Sequence, residues 1–217
     1  MCTADDDLEP CGANCRWTNA VLQGHETVDV SISPPRGGMA SFDIPSLPAP
    51  SGSALLQRAQ ARMHQLSTFR LDEVLNSGLA TVRSTYEFQA PDRLESVVSD
   101  RFQTVIIGGT RYTKDDAAAK WVVESGGPSI PEPSFMWDYF KPYRDARIIG
   151  AEPVGGVATQ IVSFLGQAEG SPIWFRLWID RSGLVRQAQM RADGHFMDHR
   201  YFDFDAPIAI VPPIGPS

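Results

Sequence analysis

The chain has 217 residues, a formal net charge of −7 and 42% hydrophobic residues, enough for one well-cored domain with an appendage or for two small ones. The acidic balance argues against nucleic acid, whose phosphates demand a basic patch. No uncharged apolar run approaches the roughly 20 residues that span a bilayer.

The first ten residues carry four acids and no basic or apolar region, so they do not read as a signal peptide. The expectation is that the natural start lies elsewhere, in a longer gene. Cys2, Cys11 and Cys15 all fall in this head. They lack the paired spacing and nearby fourth ligand of a zinc site, His25 being the nearest candidate. Thr27 to Ile32 alternates like a short strand, Ser41 to Ile44 suggests another, and Pro45 to Ser53 is a Pro/Ser/Gly linker by composition. Residues 1–52 are therefore read as a head, remnant strands and linker, and 53–217 as the main domain.

Ser53 is the expected N-cap of an amphipathic helix to about Leu66, with Leu55, Ala59, Met63 and Leu66 on its core-facing stripe. From Phe69 the period changes to two. Phe69, Leu71 and Leu75 alternate with Arg70, Asp72 and Asn76, and Val82, Tyr86 and Phe88 alternate with polar neighbours. Further strands are expected over Arg93 to Ser99, Phe102 to Ile107, Thr110 to Thr113 and Lys120 to Glu124, with Gly108-Gly109 as a hairpin turn. Gly126 to Pro133 is a loop. It leads into Ser134-Phe135-Met136-Trp137-Asp138-Tyr139-Phe140, a short helix capped by Ser134 and ended by Pro142, dense enough in aromatics to plug a core or line a greasy pocket. Strands resume at Ala146 to Glu152, Ala158 to Phe164, Ile173 to Asp180, Leu184 to Arg191 and His195 to Phe204. Ile173, Phe175, Leu177 and Ile179 share one face and Trp174 and Trp178 the other, so this strand should be covered on both sides. Arg176, between the two tryptophans, is placed to stack on their rings. Short turns between successive strands make an antiparallel meander with a helix on its concave face.

One amphipathic helix followed by a long meander containing Tyr86-Glu87-Phe88-Gln89-Ala90-Pro91-Asp92-Arg93 resembles the LolA-like lipoprotein-carrier fold, including the LppX/LprG type. The ending Tyr201 to Pro213 looks like the closing strand of those proteins. More narrowly, Gly194 to Pro213 and the Trp137-Asp138-Tyr139-Phe140 box look like a domain attached to bacterial CopC/CopD/YcnJ-type copper-resistance proteins, with Thr27 to Pro50 similar to the tail of a preceding β-sandwich and its linker. The resemblance covers about residues 53–213. It implies an α+β half-barrel of antiparallel sheet wrapped over one or two helices, an apolar cavity, and a place outside the cytoplasm, in the periplasm or at the cell surface. It also implies a membrane-embedded copper-resistance protein as partner.

The sequence holds no G-x-S-x-G, no H-E-x-x-H and no phosphate loop, and no cysteine nucleophile in the main domain, so the expectation is a protein without catalysis. A curved sheet with an apolar inner face suits a hydrophobic or lipid-like ligand. The expected lining is Leu71, Val82, Tyr86, Phe88, Val105, Met136, Trp137, Phe140, Phe164, Trp174 and Trp178. A second expectation is copper, held by His195, Met197 and His199 on one face of the last strand, since imidazole and thioether are soft ligands. A third is a structural or sensory domain with a filled core and no small ligand.

Overall fold

The structure, a computed structural model, describes residues 26–32, 38–44, 49–77, 80–116, 119–129, 133–168, 171–192 and 195–215. The three cysteines, His25 and Gly194 lie outside the described residues. The chain divides into two compact units, Met1–Pro50 and Ser51–Ser217. In the first, β1 (Glu26–Ile32) and β2 (Gly38–Ile44) form an antiparallel pair with Val28 opposite Phe42 and Val30 opposite Ala40.

The second unit opens with α1 (Ser53–Met63), whose N-cap is Gly52 and which carries no side-chain cap. Ser53 is thus the first helical residue rather than the cap. Packing decides this. The Gly52 N–H donates to the Ala146 carbonyl at 2.8 Å, and a Cβ on Gly52 would stand 2.8 Å from Val162 Cγ1. Only a glycine brings the helix start this close to the sheet. The helix also stops at Met63, with His64 as C-cap, because the chain must turn at Gln65–Leu66 into the first strand. Leu55, Leu56, Ala59 and Met63 are buried. They pack in one cluster with Phe175, Leu177, Ile179 and Val185, each large side chain contributing about 1.5–3 kcal/mol by leaving water.

Eleven strands follow in one sheet: β3 (Thr68–Asn76), β4 (Thr81–Gln89), β5 (Arg93–Val98), β6 (Phe102–Ile107), β7 (Thr110–Lys114), β8 (Val122–Ser125), β9 (Arg144–Val154), β10 (Val157–Ala168), β11 (Ser171–Asp180), β12 (Val185–Ala192) and β13 (His195–Phe202). The order is β8-β7-β6-β5-β4-β3-β13-β12-β11-β10-β9, and every pair is antiparallel. Two meanders, β3–β8 and β9–β13, run in opposite directions from a single seam where β13 pairs β3. The sheet is curved and unclosed, with β8 and β9 as its edges. The expected aromatic helix is a single 3-10 turn, Asp138–Phe140, capped by Trp137. Asp138, not Ser134, holds it: its Oδ2 accepts the Phe135 N–H at 2.9 Å.

The closing segment also departs from expectation. The strand ends at Phe202, and the chain beyond it crosses the outer face of the β3–β7 arm. There Ile208 and Ile210 pack with Val105, Ile107 and Tyr112. Arg93 Nη1 donates to the Ile210 carbonyl at 2.7 Å, and the Ile210 N–H donates to Gln89 Oε1 at 2.9 Å. Two apolar layers result. The helix fills the inner face on one arm, and the tail covers the outer face of the other.

Candidate ligand-binding site

Strand alternation puts Phe69, Leu71, Glu73 and Leu75 of β3 on the inner face, opposite Phe88, Tyr86, Ser84 and Val82 of β4. Across the seam, Leu71, Glu73 and Leu75 face Tyr201, His199 and Met197 of β13. The inner face beside the seam is not filled by α1. Instead it encloses about 320 Å³, with Phe69, Leu71, Phe88, Leu94, Met136 and Met197 among its walls. Ser134 and Tyr139 also line it, and Tyr139, 68% exposed, belongs to the solvent side.

An aromatic cluster backs the cavity. Phe69 stacks on Phe88 (centroids 5.2 Å apart) and Phe135 on Trp137 (5.0 Å), with Tyr201 set edge-on to Phe69, Phe135 and Trp137 at 5.9–6.1 Å. Such pairs add about 0.5–1.5 kcal/mol each beyond burial. The aromatic segment is tied down at its middle, at Trp137 and Asp138. His64 Nε2 lies 3.2 Å from Asp138 Oδ2, and the Tyr143 hydroxyl donates to the Trp137 carbonyl at 2.8 Å.

The cavity wall is polar at the seam. His199 Nε2 sits 2.7 Å from Glu73 Oε2, His199 Nδ1 sits 2.9 Å from the Tyr201 hydroxyl, and the Tyr86 hydroxyl donates to Glu73 Oε1 at 3.1 Å. Glu73 is 9% exposed and His199 6%. Burial pushes the Glu73 carboxyl up. The hydrogen bond and charge of His199, with hydrogen bonds from Tyr86 and Ser84, outweigh burial and hold it below its ordinary value. Burial raises the Tyr86 phenol, and so does the Glu73 charge. Burial, then the charges of Glu73 and Asp138, push Tyr201 well above the ordinary value. Glu73 is therefore an acceptor and both phenols keep their protons. Because a carboxylate only accepts, Nε2 of His199 carries a proton, and Nδ1 pairs with the Tyr201 hydroxyl.

The structure brings Leu71, Tyr86, Phe88 and Met136 to the cavity. Trp137 and Phe164 lie in the solid core, with Phe140 packed against it. Val82 is half-buried further along the inner face of β4. Val105, Trp174 and Trp178 correct the expected lining. Val105 is under the tail on the outer face. On β11 the inner set is Ile173, Phe175, Leu177 and Ile179, so alternation turns both tryptophans outward. There they flank Arg176, whose guanidinium lies 4.6 Å from the Trp174 centroid and 5.8 Å from that of Trp178, and Trp178 Nε1 donates to Glu152.

His195, Met197 and His199 share one strand face but stand in three surroundings: exposed, half-buried on the cavity wall, and buried against Glu73 and Tyr201. Among the described residues no group of three or more His, Cys, Asp or Glu converges as metal ligands would. The residues missing from the expected lining were Glu73 and Tyr201, together with Phe69, Leu94, Ser134 and Tyr139. The signal for the first was present: Phe69-x-Leu71-x-Glu73-x-Leu75 puts one carboxylate in an apolar stripe.

No protein-family model and no curated protein matches the sequence. Solved structures do. LprF from Mycobacterium bovis superposes with a TM-score of 0.55 over 77% of this chain and 100% of its own, at 19% identity. The lipoprotein LppX from Mycobacterium tuberculosis gives 0.56 over 74% of this chain and 100% of its own, at 13% identity. The fold is therefore the LolA-like α+β half-barrel shared with these two proteins. Among the described residues no helix is long and apolar enough to cross a membrane.

Proposed function

We propose that Ser51–Ser217 is a non-enzymatic binding domain that works outside the cytoplasm and holds a hydrophobic or lipid-like ligand in the cavity beside the β3–β13 seam. The observation that carries this reading is the cavity itself, about 320 Å³ on the inner face with walls from β3, β4, β5, β13 and the aromatic segment. That volume lies at the lower end for small-molecule sites, so it suits one slender apolar chain. The fold shared with the lipoprotein LppX supports the same setting. The likeness of Gly194 to Pro213 to copper-resistance proteins supports a membrane-embedded partner of that kind. Direct copper binding by His195, Met197 and His199 is the competing use of the same strand, and it requires His199 to leave Glu73 or Tyr201.

Native mass spectrometry of gently purified protein, with and without added Cu(I), separates the readings. The expected result is a co-purifying mass of lipid size, lost on denaturation. One retained copper, lost in His195→Ala and His199→Ala, would replace this reading with the metal one. A bare mass that also takes up no added alkyl amphiphile would overturn both.

A further inference from the structure

The cavity is greasy on most sides and polar at the seam, and the polar part has a definite hydrogen-bonding sense. Burying a carboxylate and an imidazole together is costly, and replacing such a pair by apolar residues of similar size is often neutral or stabilising. Folding alone gives little reason to keep Glu73 and His199 on the wall of an apolar cavity.

Their donors are already committed. The Tyr86 O–H and the His199 Nε2–H both point to Glu73, and the Tyr201 hydroxyl is engaged with His199 Nδ1. What remains at the seam is acceptor capacity, the hydroxyls of Ser134 and Tyr139 standing at the cavity's other, solvent side. A carboxylate offers about four lone-pair sites; Tyr86, His199 and Ser84 engage Glu73. The two phenol oxygens accept as well. A ligand group arriving here must therefore donate. A carboxylate at the seam would meet only acceptors and a negative charge, while an ammonium, though drawn to Glu73, would have to shed far more water and find acceptors for three N–H groups. A hydroxyl is a neutral donor that suffers neither cost.

We infer that the cavity selects a hydroxylated hydrocarbon, such as a long-chain alcohol, and takes it hydroxyl-first so that its O–H donates to Glu73 while the alkyl chain lies along Leu71, Phe88, Met136 and Met197. This inference rests on the reading of the cavity as a ligand site.

The test compares 1-decanol, decyl methyl ether and decanoate by isothermal titration calorimetry at pH 8, on the full chain and on Glu73→Gln. A purely greasy pocket ranks the ether above the alcohol, because water holds the ether less tightly. Hydroxyl recognition reverses that order: the alcohol should bind about tenfold or more tighter than the ether, the scale of one hydrogen bond to a charged acceptor. Decanoate should bind more weakly than decanol. In Glu73→Gln the alcohol's advantage should fall several-fold while the ether binds as before. The wild-type ranking needs no variant, so it stands even where Glu73→Gln fails to fold. Ether equal to or better than alcohol, or decanoate the tightest of the three, would overturn the inference and leave an apolar-ligand site. Failure of all three to bind would remove the ligand-site reading as well.

Discussion

Replacing His199 by Phe keeps an aromatic ring but strips Glu73 of its nearest partner and leaves the Tyr201 hydroxyl without its own. Glu73 is 9% exposed and takes His199 at 2.7 Å. Removing one member of a buried, hydrogen-bonded pair costs about 3–5 kcal/mol. For a domain of this size each kcal/mol moves Tm by about 2–4 °C, so at pH 7.5 His199→Phe should melt about 6–20 °C below wild type. The pH dependence is the sharper part. In wild type the folded Glu73 carboxyl titrates below its unfolded value, so its contribution is present above the unfolded pKa and is lost as pH falls through the folded one. In the variant, the burial that already pushes this carboxyl up loses its main opponent, so its folded pKa should rise above the unfolded value. The folded variant then gains stability as the group protonates on acidification. The Tm deficit should shrink between pH 7.5 and pH 5, measured by circular dichroism melts of both proteins in matched buffers. A deficit under about 2 °C at pH 7.5, or one that widens on acidification, would refute the account of the pair.

Leu71→Trp places an indole between Tyr86 and Tyr201 and should abolish uptake of alkyl amphiphiles in native mass spectra while the far-ultraviolet spectrum stays that of a sheet protein; undiminished uptake would move the ligand elsewhere. Gly166→Ala adds a Cβ 2.8 Å from both the Cβ and the carbonyl oxygen of Phe140 and 2.9 Å from Phe175 Cε2. Since backbone cannot step aside, it should lower stability by about 3 kcal/mol, read as a drop in the urea midpoint with unchanged slope. Asp180, 4% exposed, closes the β11–β12 turn by accepting from Ser182 N–H, Ser182 Oγ, Leu184 N–H and Arg186. Asp180→Ala should cost about 3 kcal/mol or more, with a urea midpoint within error of wild type counting against the turn's role. Burial raises the Asp180 carboxyl, but its Ser182, Arg186 and Leu184 bonds hold it below the ordinary carboxylate range. Its contribution should therefore be present above about pH 4 and decline as pH falls through the depressed value, an acid limb that Asp180→Asn should flatten in denaturant titrations.

The meander was legible because each strand carries its own period and short turns join them, as at Gly108-Gly109. The helix was legible from Leu55, Ala59 and Met63. Alternation also showed that β11 has two apolar faces, but a period of two cannot say which face turns inward. That choice depends on where α1 packs, and it sent Trp174 and Trp178 to the outside. Val105 was misplaced for a related reason, since its cover is a tail about a hundred residues later in the chain. The polar part of the site was hidden most deeply. Glu73 and His199 stand 126 positions apart, and nothing local to either one names the other. A carboxylate in an apolar stripe and a histidine two residues from a tyrosine were visible separately; only the pairing of β3 with β13 made them a unit.

That seam gives the cavity an unusual dependence. Within each meander the strands meet near neighbours in the chain, so either arm can form its hairpins alone. The cavity belongs to neither, because Glu73, Leu71, Tyr86 and Phe88 come from one arm and His199, Met197 and Tyr201 from the other. An occupant touching both acts as a clasp across the join, and its binding energy adds to the cohesion of the two halves. Loss of an occupant and loosening of the join would thus draw on the same contacts, along one line of strand pairing.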